Sequence, residues 1–340
     1  MLEVERAQGT LVLTTSYPRF EGDAAGHFVE AETRELAGFG PVRVLAAGLA
    51  SGEGSGADTP ALQWLGAPEL FRSPGAWPRL REDPRRFWSL LRVLWRVRRA
   101  LRDARERHVV AHWLLPLGLA VALANRRRKA KFEIEVVAHG SDVRLLRALP
   151  SWIARLVVRS LIAGGARFRF VSEELKRELT ALPGLSVHER AALERADVRA
   201  ATLELPYLPG REQARKLLGC DENARLVVVV GRLITSKRVE VALRAAELVP
   251  ETTIVVLGDG PERSALEAAF PNARFSGQLG RPETLLWMRA ADLLVSASLL
   301  EGAPTVVREA RALGTAVVSL AVGDTELWAK TDDDLWLVRA

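Results

Sequence analysis

One cysteine, Cys220, stands in 340 residues, so the chain cannot close a disulfide on itself and a disulfide scaffold is excluded. A lone thiol fits a reducing compartment. Long apolar runs are also lacking. The uncharged stretch over residues 113–124 is interrupted by Pro116 and Gly118 and falls short of the roughly 20 residues that cross a bilayer; it reads as a buried helix. Residues 1–10 are mixed in charge and lack the apolar core of a signal peptide. The five histidines show no spacing with cysteine or carboxylates that suits a metal, so no metal is expected. No G-x-G-x-x-G opens a helix after the first apolar run, which disfavours a nicotinamide oxidoreductase. Arginine is abundant, yet nothing resembles a base-reading module, so nucleic acid is not an expected partner.

What is present is core and unevenly placed charge. Hydrophobic residues make up 48% and charged residues 26%, a soluble globular profile, and the length implies two domains. Residues 1–205 carry 32 basic and 24 acidic side chains, net +8, and residues 206–340 carry 16 and 18, net −2. An anionic partner should therefore meet the first half.

Short apolar runs alternate with helical stretches along the whole chain. Strands are expected over residues 9–15, 42–47, 108–112, 132–138, 168–171, 226–230, 253–257, 293–297 and 316–320. Helices are expected over 27–37, 85–107, 240–249, 261–270 and 305–313, with a surface loop over 49–59. This pattern predicts an α/β chain with mostly parallel sheets covered on both faces. Pro206 and Pro209 bracket a linker, which divides the chain into domains 1–205 and 206–340.

In such sheets ligands sit beyond the carboxyl ends of the strands, and the chemically suggestive residues all follow strands. Arg232 and Lys237 place two cations across one loop, the arrangement a diphosphate needs, although two solvated loop cations would look the same. Glu301 precedes Pro304 and a helix that carries Glu309. Free amides at Thr305 and Val306 would open an anion site, and Glu309 could accept from a ribose. A capping carboxylate with an exposed helical glutamate is the plainer alternative. His139 ends a strand ahead of Gly140-Ser141-Asp142, which is either a site or a capping turn, and His112 reads as structural. Gly258-Asp259-Gly260 is a tight turn and weak by itself. Facing sheets would gather these strand ends into one cleft.

Val230-Gly231-Arg232 with Lys237, then Leu257-Gly258-Asp259-Gly260-Pro261-Glu262-Arg263, then Glu301 and Glu309, then Val322-Gly323-Asp324-Thr325-Glu326, resemble in order the motifs of the family 4 glycosyltransferases. In the first half the loop from Tyr17 to Gly26, Ala111-His112-Trp113 and the segment from Ala138 to Asp142 resemble that family's glycine loop, second signature and catalytic histidine segment. The resemblance covers residues 11–338 and is nearest to enzymes of bacterial cell-surface polysaccharide synthesis. It implies a GT-B fold of two facing Rossmann-like domains, the first binding acceptor and the second nucleotide sugar.

The implied reaction is metal-independent and retaining. A sugar moves from a nucleotide diphosphate donor to a glycan or lipid-linked acceptor, with no cofactor. The resemblance implies that Gly26 belongs to the first glycine loop, that Arg232 and Lys237 neutralise the diphosphate and that Thr305 and Val306 hold phosphate. It further places ribose on Glu309, the transferred sugar on Glu301 and the anomeric centre by His139. Arg238 stands where the family has glycine, and Ala303 where it often has an aromatic. Members generally continue for several dozen residues past the point matching Ala340, so a shortened second domain is expected. The alternative that follows is a truncated, non-catalytic remnant that still binds nucleotide sugar.

Residues 79–107 hold eleven arginines against four acids, with Phe87, Leu90, Leu91, Leu94 and Leu101 at helical spacing and Trp88 and Trp95 two turns apart. A helix of this kind is expected either to pack on its own domain or to lie on an anionic membrane surface. The expected location is cytoplasmic, peripheral on the inner face of the plasma membrane.

Overall fold

The computed structural model describes residues 9–48, 61–71, 76–331 and 333–338; the loop expected over 49–59 lies outside the described residues. Met1–Thr202 and Leu203–Ala340 form two compact units, and Pro206 and Pro209 lie just inside the second.

The first unit is built on a seven-stranded, wholly parallel sheet. Its strands are β1 Thr10–Thr14, β2 Val42–Ala46, β3 Ala61–Trp64, β4 His108–His112, β5 Glu133–Ala138, β6 Ala166–Phe170 and β7 Asp197–Val198, in the order β3-β2-β1-β4-β5-β6-β7. Its longer helices are α1 His27–Ala37, α2 Phe87–Asp103, α3 Leu119–Arg126, α4 Ser141–Ala148, α5 Ser151–Ala163, α6 Glu173–Thr180 and α7 Val187–Glu194. The chain steps from β1 to β2 in one direction and from β4 to β7 in the other. Right-handed crossovers therefore put α1 on one face and α2, α3 and α5 on the opposite one. Leu11, Leu13, Val110, Val136 and Val137 are wholly buried, as strands covered on both faces require.

The second unit has a six-stranded parallel sheet. Its strands are β8 Arg225–Val230, β9 Thr252–Leu257, β10 Arg274–Gly277, β11 Leu293–Ser296, β12 Ala316–Leu320 and β13 Leu335–Val338, in the order β10-β9-β8-β11-β12-β13. Helices α8 Arg211–Leu218, α9 Val239–Glu247, α10 Arg263–Ala269, α11 Arg281–Ala290 and α12 Thr305–Ala312 cover it. Alternate residues of β8 enter two separate cores: Leu226 and Val228 pack with Leu285 and Val307, and Val227 and Val229 with Val239 and Leu243.

Three expectations need correction. The segment after β4 does not run directly into a helix. Leu114–Gly118 forms an irregular turn first, and Trp113 is held at φ 70°. The helix expected from Pro261 begins at Arg263. Of the expected set on α2 only Leu101 is buried, and it packs with Ser89, Val93 and Val97, whereas Phe87 and Leu91 are exposed and Leu90 and Leu94 lie between. Residues four apart share a helix face, and β-branched valines set that face here.

Arg238 explains why glycine is favoured at its position. It caps α9 at φ 46° and ψ 45°, left-handed backbone that an L side chain disfavours by roughly 1–2 kcal/mol. Arg238→Gly should therefore raise stability by about 1 kcal/mol in a urea melt, after glycine's own entropy is discounted. A loss of stability would show that side-chain contacts of Arg238 outweigh its backbone strain.

Candidate active site

In the first unit, β4 and β5 end side by side, His112 in register with Val137. His112 Nδ1 lies 2.9 Å from His139 Nε2 and the two rings stack at 5.2 Å. Trp113 and Phe28 complete a ring of aromatics around His139, with centroids 4.7 and 5.1 Å away. His112 is fully buried and its Nε2 has no hydrogen-bond partner. Burial pulls the pKa of His112 well below the ordinary 6.5, and the nearby Arg169 cation adds to this. Burial, then His112 and Arg169, do the same to His139. Both imidazoles are therefore neutral, so one donates to the other.

Asp142 fixes this arrangement. Its Oδ1 accepts from the amides of His139, Gly140 and Val143, and its Oδ2 accepts from Leu114 N at 2.8 Å. One carboxylate thus joins the loops after β4 and β5. Burial pushes its pKa up, and those amides oppose the shift. Beneath lies Arg169 on β6, buried and paired with Glu32 of α1 and with Glu135 at 2.5 Å. Gly26 begins α1 at φ 73°, and a Cβ there would come within 2.4 Å of Ser16 O, so only glycine lets that loop approach.

In the second unit, the loops after β8 and β9 are joined by backbone bonds, Leu233 N to Asp259 O and Glu262 N to Leu233 O. A Cβ on Gly258 or Gly260 would collide with the backbone of Gly231 or Leu233. Leu299 N donates to Ser236 O, which draws the loop after β11 to the same place. Lys237 and Glu301 form an ion pair, both half-buried, and Arg232 is exposed on the same loop as Lys237. Thr305 and Val306 start α12, which has no side-chain cap. Glu309 is buried, against the plainer expectation of an exposed residue, and its Oε1 accepts from Arg281 Nη2 at 2.9 Å. Arg281 also donates to Glu204 O.

The structure thus brings Lys237 to Glu301, with Arg232, Thr305, Val306 and Glu309 on loops and a helix at the carboxyl ends of one sheet. His139 and Gly26 belong to the other unit. The sequence reading passed over Phe28, Arg169 beneath, and Arg281 on Glu309; it took His112 as structural and Asp142 as part of a site or capping turn, without the contacts His112 and Trp113 make with His139 or the tether Asp142 forms. Arg169 had a signal, a charge alternating with phenylalanine on a strand; Arg281 had none. Among the described residues, no group of three or more His, Cys, Asp or Glu side chains could hold a metal ion, and no helix is long and apolar enough to cross a membrane.

A family model for a glycosyl transferase 4-like domain matches residues 24–193, half of the chain, and one for glycosyl transferases group 1 matches residues 224–340. The chain belongs to the group 1 glycosyltransferase family. A Bacillus subtilis (strain 168) protein named as a teichuronic acid biosynthesis glycosyltransferase, TuaC, is 30% identical over 227 residues, 65% of this chain and 55% of that protein. The D-inositol 3-phosphate glycosyltransferase of Mycolicibacterium gilvum (strain PYR-GCK) is 37% identical over 130 residues, 34% of this chain and 29% of that protein. The matches thus span about half or less of these relatives' lengths. Sucrose-phosphate synthase from Thermosynechococcus elongatus superposes with a TM-score of 0.69 at 16% identity, covering 98% of this chain and 86% of the other. Anabaena HepE in complex with UDP and glucose superposes at 0.67 and 15%, with the same coverage. The fold of this chain is GT-B.

Two outcomes test the first unit's geometry. Asp142→Ala would strand four amides, at about 1–3 kcal/mol for each that finds no water, so a loss of at least about 3 kcal/mol is expected in urea denaturation. Asp142→Asn, which can keep an oxygen toward three of the amides, should lose less. The histidines predict the acid side. Unfolded imidazoles take protons near 6.5, whereas native His112 and His139 resist until lower pH. Their contribution is intact above 6.5 and is lost as pH falls below it, by about 1.4 kcal/mol per pH unit for each histidine. His112→Gln should flatten the decline of stability as pH falls below 6.5; an unchanged slope would show that the native fold does not hold His112 neutral.

Proposed function

We propose that this glycosyltransferase moves a sugar from a nucleotide diphosphate donor to a glycan or lipid-linked acceptor in cell-surface polysaccharide synthesis, with retention of anomeric configuration and without a metal ion or other cofactor. It works in the cytoplasm, peripherally on the inner face of the plasma membrane. The observation that carries the reading is the meeting of Lys237 and Glu301 beside Arg232 and the uncapped start of α12. The HepE structure with UDP and glucose supports a nucleotide sugar as the donor class, and TuaC supports a polysaccharide product.

In this reading residues 206–340 bind the donor and residues 1–205 the acceptor. Arg232 and Lys237 take the diphosphate, and the amides of Thr305 and Val306 hold a phosphate oxygen. Lys237 already holds an anion, Glu301, so the arriving diphosphate exchanges one partner for another. The Glu301 carboxylate is then released to accept from sugar hydroxyls. Two fixed cations and a helix start stabilise the departing diphosphate where negative charge accumulates. Arg281 orients Glu309, which accepts from the ribose. His139, neutral and fixed through His112 and Asp142, offers one ring nitrogen to the acceptor side. The loop that ends at Gly26 leads into α1 on that same unit.

Arg232→Ala should weaken nucleoside diphosphate binding by calorimetry at least tenfold, the loss of about 1.4 kcal/mol, with little change in melting temperature. Glu301→Gln should abolish most transfer while nucleoside diphosphate binding stays equal or tightens, because Lys237 loses its competing anion. Full transfer activity in Glu301→Gln would remove the assigned role. Donor binding by the unaltered chain with neither hydrolysis nor transfer, across a panel of nucleotide sugars, would instead describe a non-catalytic binding remnant.

A further inference from the structure

Helix α2 carries two apolar sets, and the fold uses only one. Ser89, Val93, Val97 and Leu101 face the sheet. Trp88 and Trp95 emerge on the opposite side, 68% and 60% exposed, with Leu91 also exposed between them. Seven residues separate the tryptophans, two turns of one face. Exposed Arg92, Arg98 and Arg99 flank them, and the Arg99 guanidinium lies 5.8 Å from the Trp95 ring centroid.

The surface continues beyond α2. Helix α3 packs between α2 and α5 in the same layer. It exposes Leu123 next to Arg126 and Arg127, and α5 exposes Trp152, at 61%, and Leu156. Three adjacent helices therefore present tryptophan and leucine outward, set among arginines. Scattered apolar side chains are ordinary on a protein surface; exposed tryptophans and leucines on three adjacent helices, each beside arginines, are not. A second copy of this face would bring arginine against arginine. Tryptophan, with an apolar body and one N–H, suits the headgroup level of a bilayer, and arginine suits lipid phosphate.

We propose that the outer face of α2, α3 and α5 seats the first unit on an anionic lipid bilayer, with Trp88 and Trp95 at headgroup depth. The inference deepens the proposed function by naming the surface at which a lipid-linked acceptor is met. It rests on that reading for which membrane is involved; the surface itself stands on exposure and charge.

The test uses the whole chain in sedimentation with phosphatidylcholine vesicles, with and without phosphatidylglycerol, at low and high salt. Nucleoside diphosphate affinity is measured on the same samples without vesicles. Binding should require phosphatidylglycerol and fall as salt rises. The Trp88→Ser/Trp95→Ser variant should lose vesicle affinity by about tenfold or more, with melting temperature and nucleotide affinity unchanged. Arg92→Gln/Arg98→Gln/Arg99→Gln should lose the preference for anionic vesicles. Equal binding to both vesicle types, binding to neither, an unchanged tryptophan variant, or firmer retention by an acidic polypeptide or an oligonucleotide than by anionic vesicles would each overturn the proposal. Lost vesicle binding with intact nucleotide affinity leaves the proposed sugar transfer standing and removes only its membrane location. Lost nucleotide affinity with intact vesicle binding does the reverse.

Discussion

The carboxylate of Asp142 is the constraint on which the first unit's strand ends depend. Parallel strands finish with backbone groups that have no neighbour to pair with, and two such ends next to each other need a common acceptor. Asp142 supplies it, taking amides from the loop after β5 and the amide of Leu114 from the loop after β4. That tether holds the turn in which Trp113 adopts its left-handed backbone, and it aligns His112 with His139. Below the pair, Arg169 with Glu32 and Glu135 satisfies a buried cation while biasing both imidazoles toward the neutral form. Position and protonation of His139 are therefore consequences of groups on β4, β6, α1 and α4.

The second unit solves a different problem, keeping charged side chains close together at the carboxyl ends of its strands. Close backbone approach does part of this. Gly258 and Gly260 let the loops after β8 and β9 touch, and Gly323 lets its own loop reach Gly302. Ion pairs do the rest. Lys237 rests on Glu301 and Arg281 on Glu309, so each carboxylate and cation is partly desolvated yet compensated. In the proposed function an anionic donor would meet cations that are already positioned, which lowers the ordering cost of binding.

Much of this was legible in the sequence. The apolar runs of β1, β4, β8 and β9 and the punctuation by Gly231, Gly258 and Gly314 mark elements whose signal is local, because a strand covered on both faces must be apolar throughout. Arg232, Lys237 and Glu301 were legible as loop residues for a related reason: each follows an apolar strand run. Short edge strands such as Asp197–Val198 and Arg274–Gly277 escaped, since two to four residues carry no readable period. Helix α2 shows the limit from another side. Two apolar sets occupy one helix, and periodicity alone does not say which of them packs.

The sequence by itself determined the class of the fold, the parallel sheets and the residue types waiting at strand ends, because these follow from burial and turn chemistry over a few consecutive residues. The partners were decided only in three dimensions: His112 against His139, Lys237 against Glu301, Arg281 against Glu309, and tryptophans left outside while valines went in. Each of these pairings joins residues that are 27 or more positions apart or on different elements. Contacts at that separation depend on which strands become neighbours, and strand order is a property of the folded sheet rather than of any local pattern.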